Sequence, residues 1–336
     1  MRAPDFWSEP GALARILAPF GAAVDLAGGL HRALARPVAC GLPVVCVGNL
    51  VAGGAGKTPV ARALARRLAA RGASVRFLTR GYGGRARGPL RVDPARHGAL
   101  EVGDEALLLA ADAPTWLARD RAAGARAIAR DAPRDDPGEG PGEAPGVIVM
   151  DDGFQNPSIE KDLALLVIDG GYGLGNEKVM PAGPLRETLA RGLARADAVV
   201  ILGEDSKHIT RRLGAGPPVL EATLVPSPDA PDLAGRRLLA FAGIGRPEKF
   251  FATLADLGAE LAETRAFPDH HPFRPAEIEA LVARGRALGA LPVTTEKDRA
   301  RLPADLAKHV EVLPVEVAWR DPEALERLLA RLAIRA

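Results

Sequence analysis

Residues 44–58, Val44-Val45-Cys46-Val47-Gly48-Asn49-Leu50-Val51-Ala52-Gly53-Gly54-Ala55-Gly56-Lys57-Thr58, run from an unbroken apolar stretch through a glycine-rich turn into a helix start. An apolar run without alternation reads as a strand buried on both faces, which belongs in a parallel sheet covered by helices. The turn after it reads as a phosphate-binding loop. Its backbone amides and the helix N-terminus would meet phosphate oxygens, Lys57 would reach the β- and γ-phosphates, and the Thr58 hydroxyl would bind Mg²⁺. Gly53, Gly54, Ala55, Gly56, Lys57 and Thr58 are therefore assigned to a nucleotide. The strict pattern G-x-x-x-x-G-K-[ST] is met except at its first position, which is Val51.

Working outward, short apolar runs at 75–78, 115–117, 147–150, 163–168 and 199–202 alternate with helical patterns at 58–71, 104–111 and 121–130. That order predicts an α/β fold, a P-loop-type parallel sheet with helices on both faces. A second α/β series begins after 226–235: strands at 238–242, 260–266, 292–294 and 310–314, and helices at 247–257, 275–288 and 322–334. It predicts a smaller C-terminal domain over 231–336, beside a P-loop domain over 39–230. Residues 131–146 are Pro, Gly and acid with almost nothing to bury, which predicts a surface loop or insertion.

A nucleotide site needs an acidic Mg²⁺ ligand at the end of a neighbouring strand. Val147-Ile148-Val149-Met150-Asp151-Asp152-Gly153 supplies Asp151 and Asp152, although Asp-Asp-Gly in isolation is also a plain turn. Arg121 opens a helix and its planar fork suits a phosphate, while as a helix charge it needs no ligand. Asp104 and Glu105, read alone, are first-turn acids favoured by a helix dipole.

Lys and Arg exceed Asp and Glu by a formal +2 only, so no general attraction to nucleic acid is expected and anionic partners must be met locally. Cys40 and Cys46 cannot build a disulfide framework, which suggests a reducing compartment. The first 38 residues have no signal-peptide layout, and no unbroken apolar run long enough to span a bilayer occurs, so neither export nor a spanning helix is expected. Leu13, Ile16, Leu17, Phe20, Val24 and Leu34 nevertheless recur at helical spacing, with Arg15, Arg32 and Arg36 among them. Such an amphipathic helix over 1–38 either packs on its own domain or lies flat on an anionic membrane.

Seven further motifs sharpen the reading: Gly48-Asn49-Leu50 running into Gly-Gly-Ala-Gly-Lys-Thr-Pro, Thr79-Arg80-Gly81-Tyr82-Gly83-Gly84, Val102-Gly103-Asp104-Glu105, Asp151-Asp152-Gly153-Phe154-Gln155, Pro181-Ala182-Gly183-Pro184-Leu185-Arg186-Glu187, Asp269-His270-His271-Pro272-Phe273 and Thr294-Thr295-Glu296-Lys297-Asp298. In this order and spacing, from about residue 5 to 300, the chain resembles the tetraacyldisaccharide 4'-kinases. The resemblance implies a P-loop kinase domain and a smaller C-terminal domain with the active site between them. It also implies transfer of the γ-phosphate of ATP, with Mg²⁺, to the 4'-hydroxyl of tetraacyldisaccharide 1-phosphate in lipid A biosynthesis. The place implied is the cytoplasmic face of the bacterial inner membrane, reached peripherally through the N-terminal helix, with no obligate protein partner.

By the same resemblance Asp104 is the base, oriented by His270, while Arg80, Tyr82, Glu105 and Arg121 lie near substrate or phosphate. A His beside a carboxylate can hold it in place and share charge as a proton leaves. The sequence departs from the family pattern at Asn156, where the family usually has His, and at Gly175-Asn176-Glu177 before the Pro-Ala-Gly-Pro motif. Asn156 does not titrate, so it is not the base. Two alternatives remain at this stage. One is a P-loop ATPase or GTPase switch, discounted because Thr295-Glu296-Lys297-Asp298 lacks the Asn of a guanine-reading segment; the other is a nucleotide-gated membrane-binding module.

Overall fold

The computed structural model describes residues 4–131 and 146–332; most of the acidic Pro/Gly loop expected at 131–146 lies outside the described residues. The strands are β1 (Val44–Gly48), β2 (Ser74–Thr79), β3 (Leu90–Arg91), β4 (Thr115–Leu117), β5 (Gly146–Asp151), β6 (Leu163–Asp169), β7 (Ala198–Leu202), β8 (Val219–Pro226), β9 (Arg237–Ala242), β10 (Glu260–Ala266), β11 (Leu291–Thr295), β12 (Glu311–Leu313) and β13 (Val315–Trp319). Nine of them form one sheet in the order β13-β8-β7-β6-β1-β5-β2-β4-β3, parallel except for β3 and β13 at its two edges. The glycine-rich loop therefore leaves the middle of the sheet, from β1 between β5 and β6.

Both faces of that sheet are covered, as the apolar runs require. Val45 and Val47 enter one core with Leu64 and Leu68 of helix Lys57–Ala70, while Val44 and Cys46 enter the other with Ile148, Met150 and Phe154. Cys46 is fully buried, and burial pushes its thiol up to about 11, so it behaves as a small apolar side chain.

The second sheet, β10-β9-β11-β12, is wholly parallel and has helices Pro247–Asp256 and Pro275–Leu288 on opposite faces. The last strand of this sheet ends at Leu313, inside the span 231–336 expected for a C-terminal domain. β13 crosses back to pair antiparallel with β8, and Leu325, Leu328 and Leu329 of the last helix fill the large lobe's core. Neither β8 nor β13 was expected. Glu221, Thr223 and Glu316 interrupt their apolar residues, as suits outer strands buried on one side only.

Residues Ala12–Leu34 form one helix of 23 residues. Its mean hydropathy reaches 1.4 over eighteen residues, so by length and composition it could cross a bilayer, contrary to the expectation drawn from unbroken runs. Only one side of it is docked. Gly21 lies against the carbonyl of Val179, Asp25 accepts from the amide of Thr188 and pairs with Arg191, and Arg32 reaches Glu187. The apolar residues point the other way: Ile16 is 67% exposed, Phe20 62% and Leu30 58%. The reading of an apolar stripe packed on its own domain is thereby overturned, because small and polar residues make the contact instead.

Candidate active site

The loop after β1 is shaped by residues that local pattern did not assign. The buried Asn49 side chain donates to the carbonyls of Val51 and Gly53 at 2.7 and 3.3 Å, and Gln155 donates to the Asn49 carbonyl at 2.9 Å. Gly56 sits at φ 79°, where L residues are strained, and a Cβ there would strike Leu202. Helix Lys57–Ala70 begins directly after it, with Lys57 and Thr58 both buried.

Thr58 Oγ1 donates to Asp151 Oδ2 at 2.9 Å, joining the loop to the end of β5. The other Asp151 oxygen is buried without a hydrogen-bond partner, and burial, reinforced by the charge of Glu105, pushes the carboxyl up to about 7. A buried carboxylate oxygen left unpaired is costly in water-free surroundings and suits a cation. Among the described residues no group of three His, Cys, Asp or Glu side chains could hold a metal alone. The Thr58 hydroxyl and the unpaired Asp151 oxygen suit Mg²⁺, which takes one or two protein oxygens and completes its octahedron with water and nucleotide phosphates.

Asp152 is engaged differently. Arg186 grips it with two hydrogen bonds of 2.8 and 3.3 Å, and Lys57 Nζ stands 3.8 Å away. Burial would raise its carboxyl, but Lys57 and Arg186 outweigh burial and hold it below the ordinary carboxylate value. Arg121 is almost fully buried, donating to the Ala118 carbonyl at 2.6 Å while its Nε has no partner. Burial lowers its guanidinium to about 10, opposed by the charge of Asp152.

The second cluster spans the two lobes. Asp104, 3% exposed at the start of helix Asp104–Ala110, faces His270, whose Nδ1 is 3.0 and 3.1 Å from the two carboxylate oxygens. Arg301 Nε stands 3.2 Å from Asp104 Oδ2, and the amide of Glu105 donates to Oδ1 at 2.9 Å. Burial would raise the Asp104 carboxyl, but the His270 hydrogen bond and the charges of Lys297 and Arg301 prevail and hold it lowered. Glu105 accepts from Lys297 Nζ at 3.1 Å. Tyr82 lies with its ring centroid 5.1 Å from that of His270.

A cavity of about 120 Å³ opens beside the pair, lined by Tyr82, Leu100, Asp104, His270, Phe273 and Arg301. A second, of about 240 Å³, shares Tyr82 and Gly83 with it and adds Arg80 and Arg119. Over the phosphate loop, Gly245 of the small lobe comes so close that a side chain there would press on the amide of Gly54. Of the residues singled out from the sequence, Lys57, Thr58, Asp151 and Asp152 join at the phosphate loop, Tyr82, Asp104, Glu105 and His270 join at the lobe junction, and Arg80 lines the second cavity. Asn156 joins neither cluster: its Oδ1 caps a turn by accepting from Ser158 N and Oγ. Sequence reasoning gave no role to Asn49, Gln155, Arg186, Lys297 or Arg301. All but Arg301 lie in the quoted motifs, and Arg301 has no local signal.

The tetraacyldisaccharide-1-P 4'-kinase (LpxK) family model matches residues 13–333. A tetraacyldisaccharide 4'-kinase of Rhodospirillum centenum is 56% identical over 99% of this chain and 97% of its own length. One of Paramagnetospirillum magneticum is 53% identical over the whole of both chains. Among solved structures, an Aquifex aeolicus LpxK, described as an "apo" form in complex with ATP, superposes with a TM-score of 0.74 at 27% identity, covering 95% of this chain and 99% of that one. A family model spanning nearly the whole sequence, relatives more than half identical from end to end and a matching fold leave one assignment: the chain belongs to the tetraacyldisaccharide-1-P 4'-kinase family.

Proposed function

We propose that this chain performs the family's reaction, moving the γ-phosphoryl group of ATP to the 4'-hydroxyl of tetraacyldisaccharide 1-phosphate, with each site residue in the following role. The loop 53–58 cradles the phosphates, and Lys57 leaves Asp152 to pair with them. Thr58 and Asp151 would hold Mg²⁺, in preference to Asp152, whose oxygens are already taken by Arg186. The ion, when bound, would supply positive charge that stabilises phosphoryl transfer.

The acceptor sugar occupies the cavity beside Asp104 and His270, and the neighbouring Arg80 and Arg119 pocket faces its anionic groups. The hydroxyl oxygen bonds to the γ-phosphorus as the bond to the bridging oxygen of ADP breaks, and the hydroxyl proton passes to Asp104. A carboxylate with a lowered pKa is a weak base, which suffices once the forming O–P bond has acidified the hydroxyl. Arg121, buried and close enough to interact with the charges of Asp151 and Asp152, adds positive charge near the phosphates.

The observation that carries this reading is the pairing of buried Asp104 with half-buried His270 across the lobe junction, next to Glu105, whose charge acts on Asp151 of the P-loop cluster. Radiolabelled ATP with the disaccharide 1-phosphate in detergent micelles tests it; no labelled lipid from folded protein ends it. The exposed apolar side of helix Ala12–Leu34 supports peripheral docking on a membrane, which for a lipid precursor means the cytoplasmic face of the inner membrane. The docked side argues against threading, because crossing a bilayer would strip Asp25 and Arg32 from their partners. No observation favours the switch or gated-module alternatives.

A further inference from the structure

The segment on which helix Ala12–Leu34 docks buries one carboxylate completely, that of Glu187. Its place is set by the backbone just before it. The Ala52 amide donates to the Pro184 carbonyl at 2.8 Å and the Arg186 amide to the Leu50 carbonyl at 2.7 Å, so residues 184–186 run alongside the chain that enters the phosphate loop. Three side chains converge on the carboxylate. Arg195 Nη2 donates to its two oxygens at 2.5 and 2.6 Å, Arg32 Nη2 of helix Ala12–Leu34 stands 3.1 Å from Oε2, and Gln155 Nε2 donates to Oε1 at 3.2 Å. We propose that Glu187 is a positioning residue for the nucleotide: through Gln155 it fixes the backbone of the phosphate loop, and so ties ATP affinity to a buried charge that the N-terminal helix helps to hold.

A side-chain amide has a donor end and an acceptor end, and turning it over exchanges them. At Gln155 every neighbour selects the same orientation. Nε2 meets two groups that only accept, the Glu187 carboxylate and the Asn49 carbonyl at 2.9 Å, while Oε1 meets a donor, Arg186 Nη1, at 3.3 Å. The Asn49 carbonyl by itself would hold Nε2 with one neutral hydrogen bond. Glu187 adds a charge-assisted one, and it penalises the turned-over amide, whose oxygen would then face a carboxylate. Asn49, held in this way, donates to the carbonyls of Val51 and Gly53. In a trans peptide the N–H points opposite to the C=O, so drawing the Gly53 carbonyl onto Asn49 aims the Gly54 amide away from it, where a phosphate oxygen can meet it. The same geometry at Val51 delivers the Ala52 amide to Pro184. Arg195 and Arg32 keep the buried carboxylate charged, and that charge is what Gln155 reads.

Glu187 can serve the nucleotide only if loop 53–58 binds the phosphates of ATP, the reading on which this proposal rests. Calorimetry with ADP separates the two without turnover, since a folded wild type that binds no nucleotide ends the reading of the loop itself, whatever Glu187 does. Gln155→Met keeps the volume and leaves Glu187 with both arginines, and it should bind ADP about tenfold more weakly. KM for ATP should rise by a similar factor while kcat and KM for the lipid acceptor stay within about threefold, because the loop holds phosphates alike in ground state and transition state. Glu187→Gln should do the same, and the double variant should bind ADP within about twofold of the weaker single variant, since both changes act through one amide. ADP affinity within about twofold of wild type in folded Gln155→Met overturns the proposal. Losses that multiply in the double variant, or equal rises in KM for ATP and for lipid, overturn it too, because they mark a general packing role. If Glu187→Gln does not fold, Glu187→Asp decides: it keeps a charge for the arginines but draws back from Gln155, so ADP should bind about threefold more weakly or worse, and wild-type affinity removes Glu187 from the role.

Discussion

At Asp104, burial and polar contacts oppose each other, and the contacts prevail. Asp104→Asn keeps the shape and removes the proton acceptor, so kcat should fall by about 10²-fold or more, as loss of a general base usually does. ATP affinity, measured by calorimetry, should survive, because the P-loop does not touch this carboxylate. Acid stability follows from the same balance. The folded chain holds Asp104 below its ordinary value of 3.8, so the unfolded chain binds the proton more readily. Its contribution is complete above that value and is lost as pH falls through the depressed folded range. Denaturant titrations between about pH 4 and pH 2 should show a shallower loss for Asp104→Asn than for wild type, with Asp112 and Asp152 supplying the remainder. At this scale Lys57, Thr58 and Asp151 were legible, because phosphate chemistry writes itself into contiguous spacing. Arg301 was not, because it reaches Asp104 from a residue 197 positions away in the chain and only the closed lobe junction brings the two together.

Among the elements, helix Ala12–Leu34 gives the clearest contrast between docked and free sides. Replacing Ile16, Phe20 and Leu30 together with Ser should leave the melting temperature nearly unchanged, since these side chains touch little, while cosedimentation with anionic liposomes drops severalfold. Asp25→Ala should do the reverse at first instance, costing about 1 to 3 kcal/mol by leaving the Thr188 amide and Arg191 unpaired. Unaltered liposome binding by the triple variant would return the helix to a purely structural role. The central strands were legible because β1, β5, β6 and β7 are almost wholly buried and therefore almost wholly apolar. β8 was hidden by Glu221 and Thr223, and the helix's outward stripe by the fact that periodicity cannot say what an apolar side faces.

Across the whole molecule the lobes are joined by ion pairs beyond the Asp104 cluster as well. Arg62 of the P-loop helix binds Asp112 and also Glu296 of the small lobe, and Asp169 at the end of β6 binds Arg246 and Lys249. Arg62→Ala should cost about 2 to 4 kcal/mol, a value reduced by the partial exposure of its partners, and calorimetry should register a lower, broader melting transition. An unchanged transition would mean that Asp169, the Asp104 and Glu105 contacts and packing hold the lobes without Arg62. The small lobe's limits were only half visible in the sequence, because its first strand announces itself whereas β13, which leaves it, reads Val-Glu-Val-Ala-Trp and has no apolar run. That returning strand bears on how the protein is made. During synthesis from the N-terminus, β8 waits as an open edge while the whole small lobe is translated, and its partner β13 arrives only after that lobe. A nascent or truncated product ending at 313 has a finished lid on an unfinished kinase, and its exposed strand edge is a template for pairing with another copy.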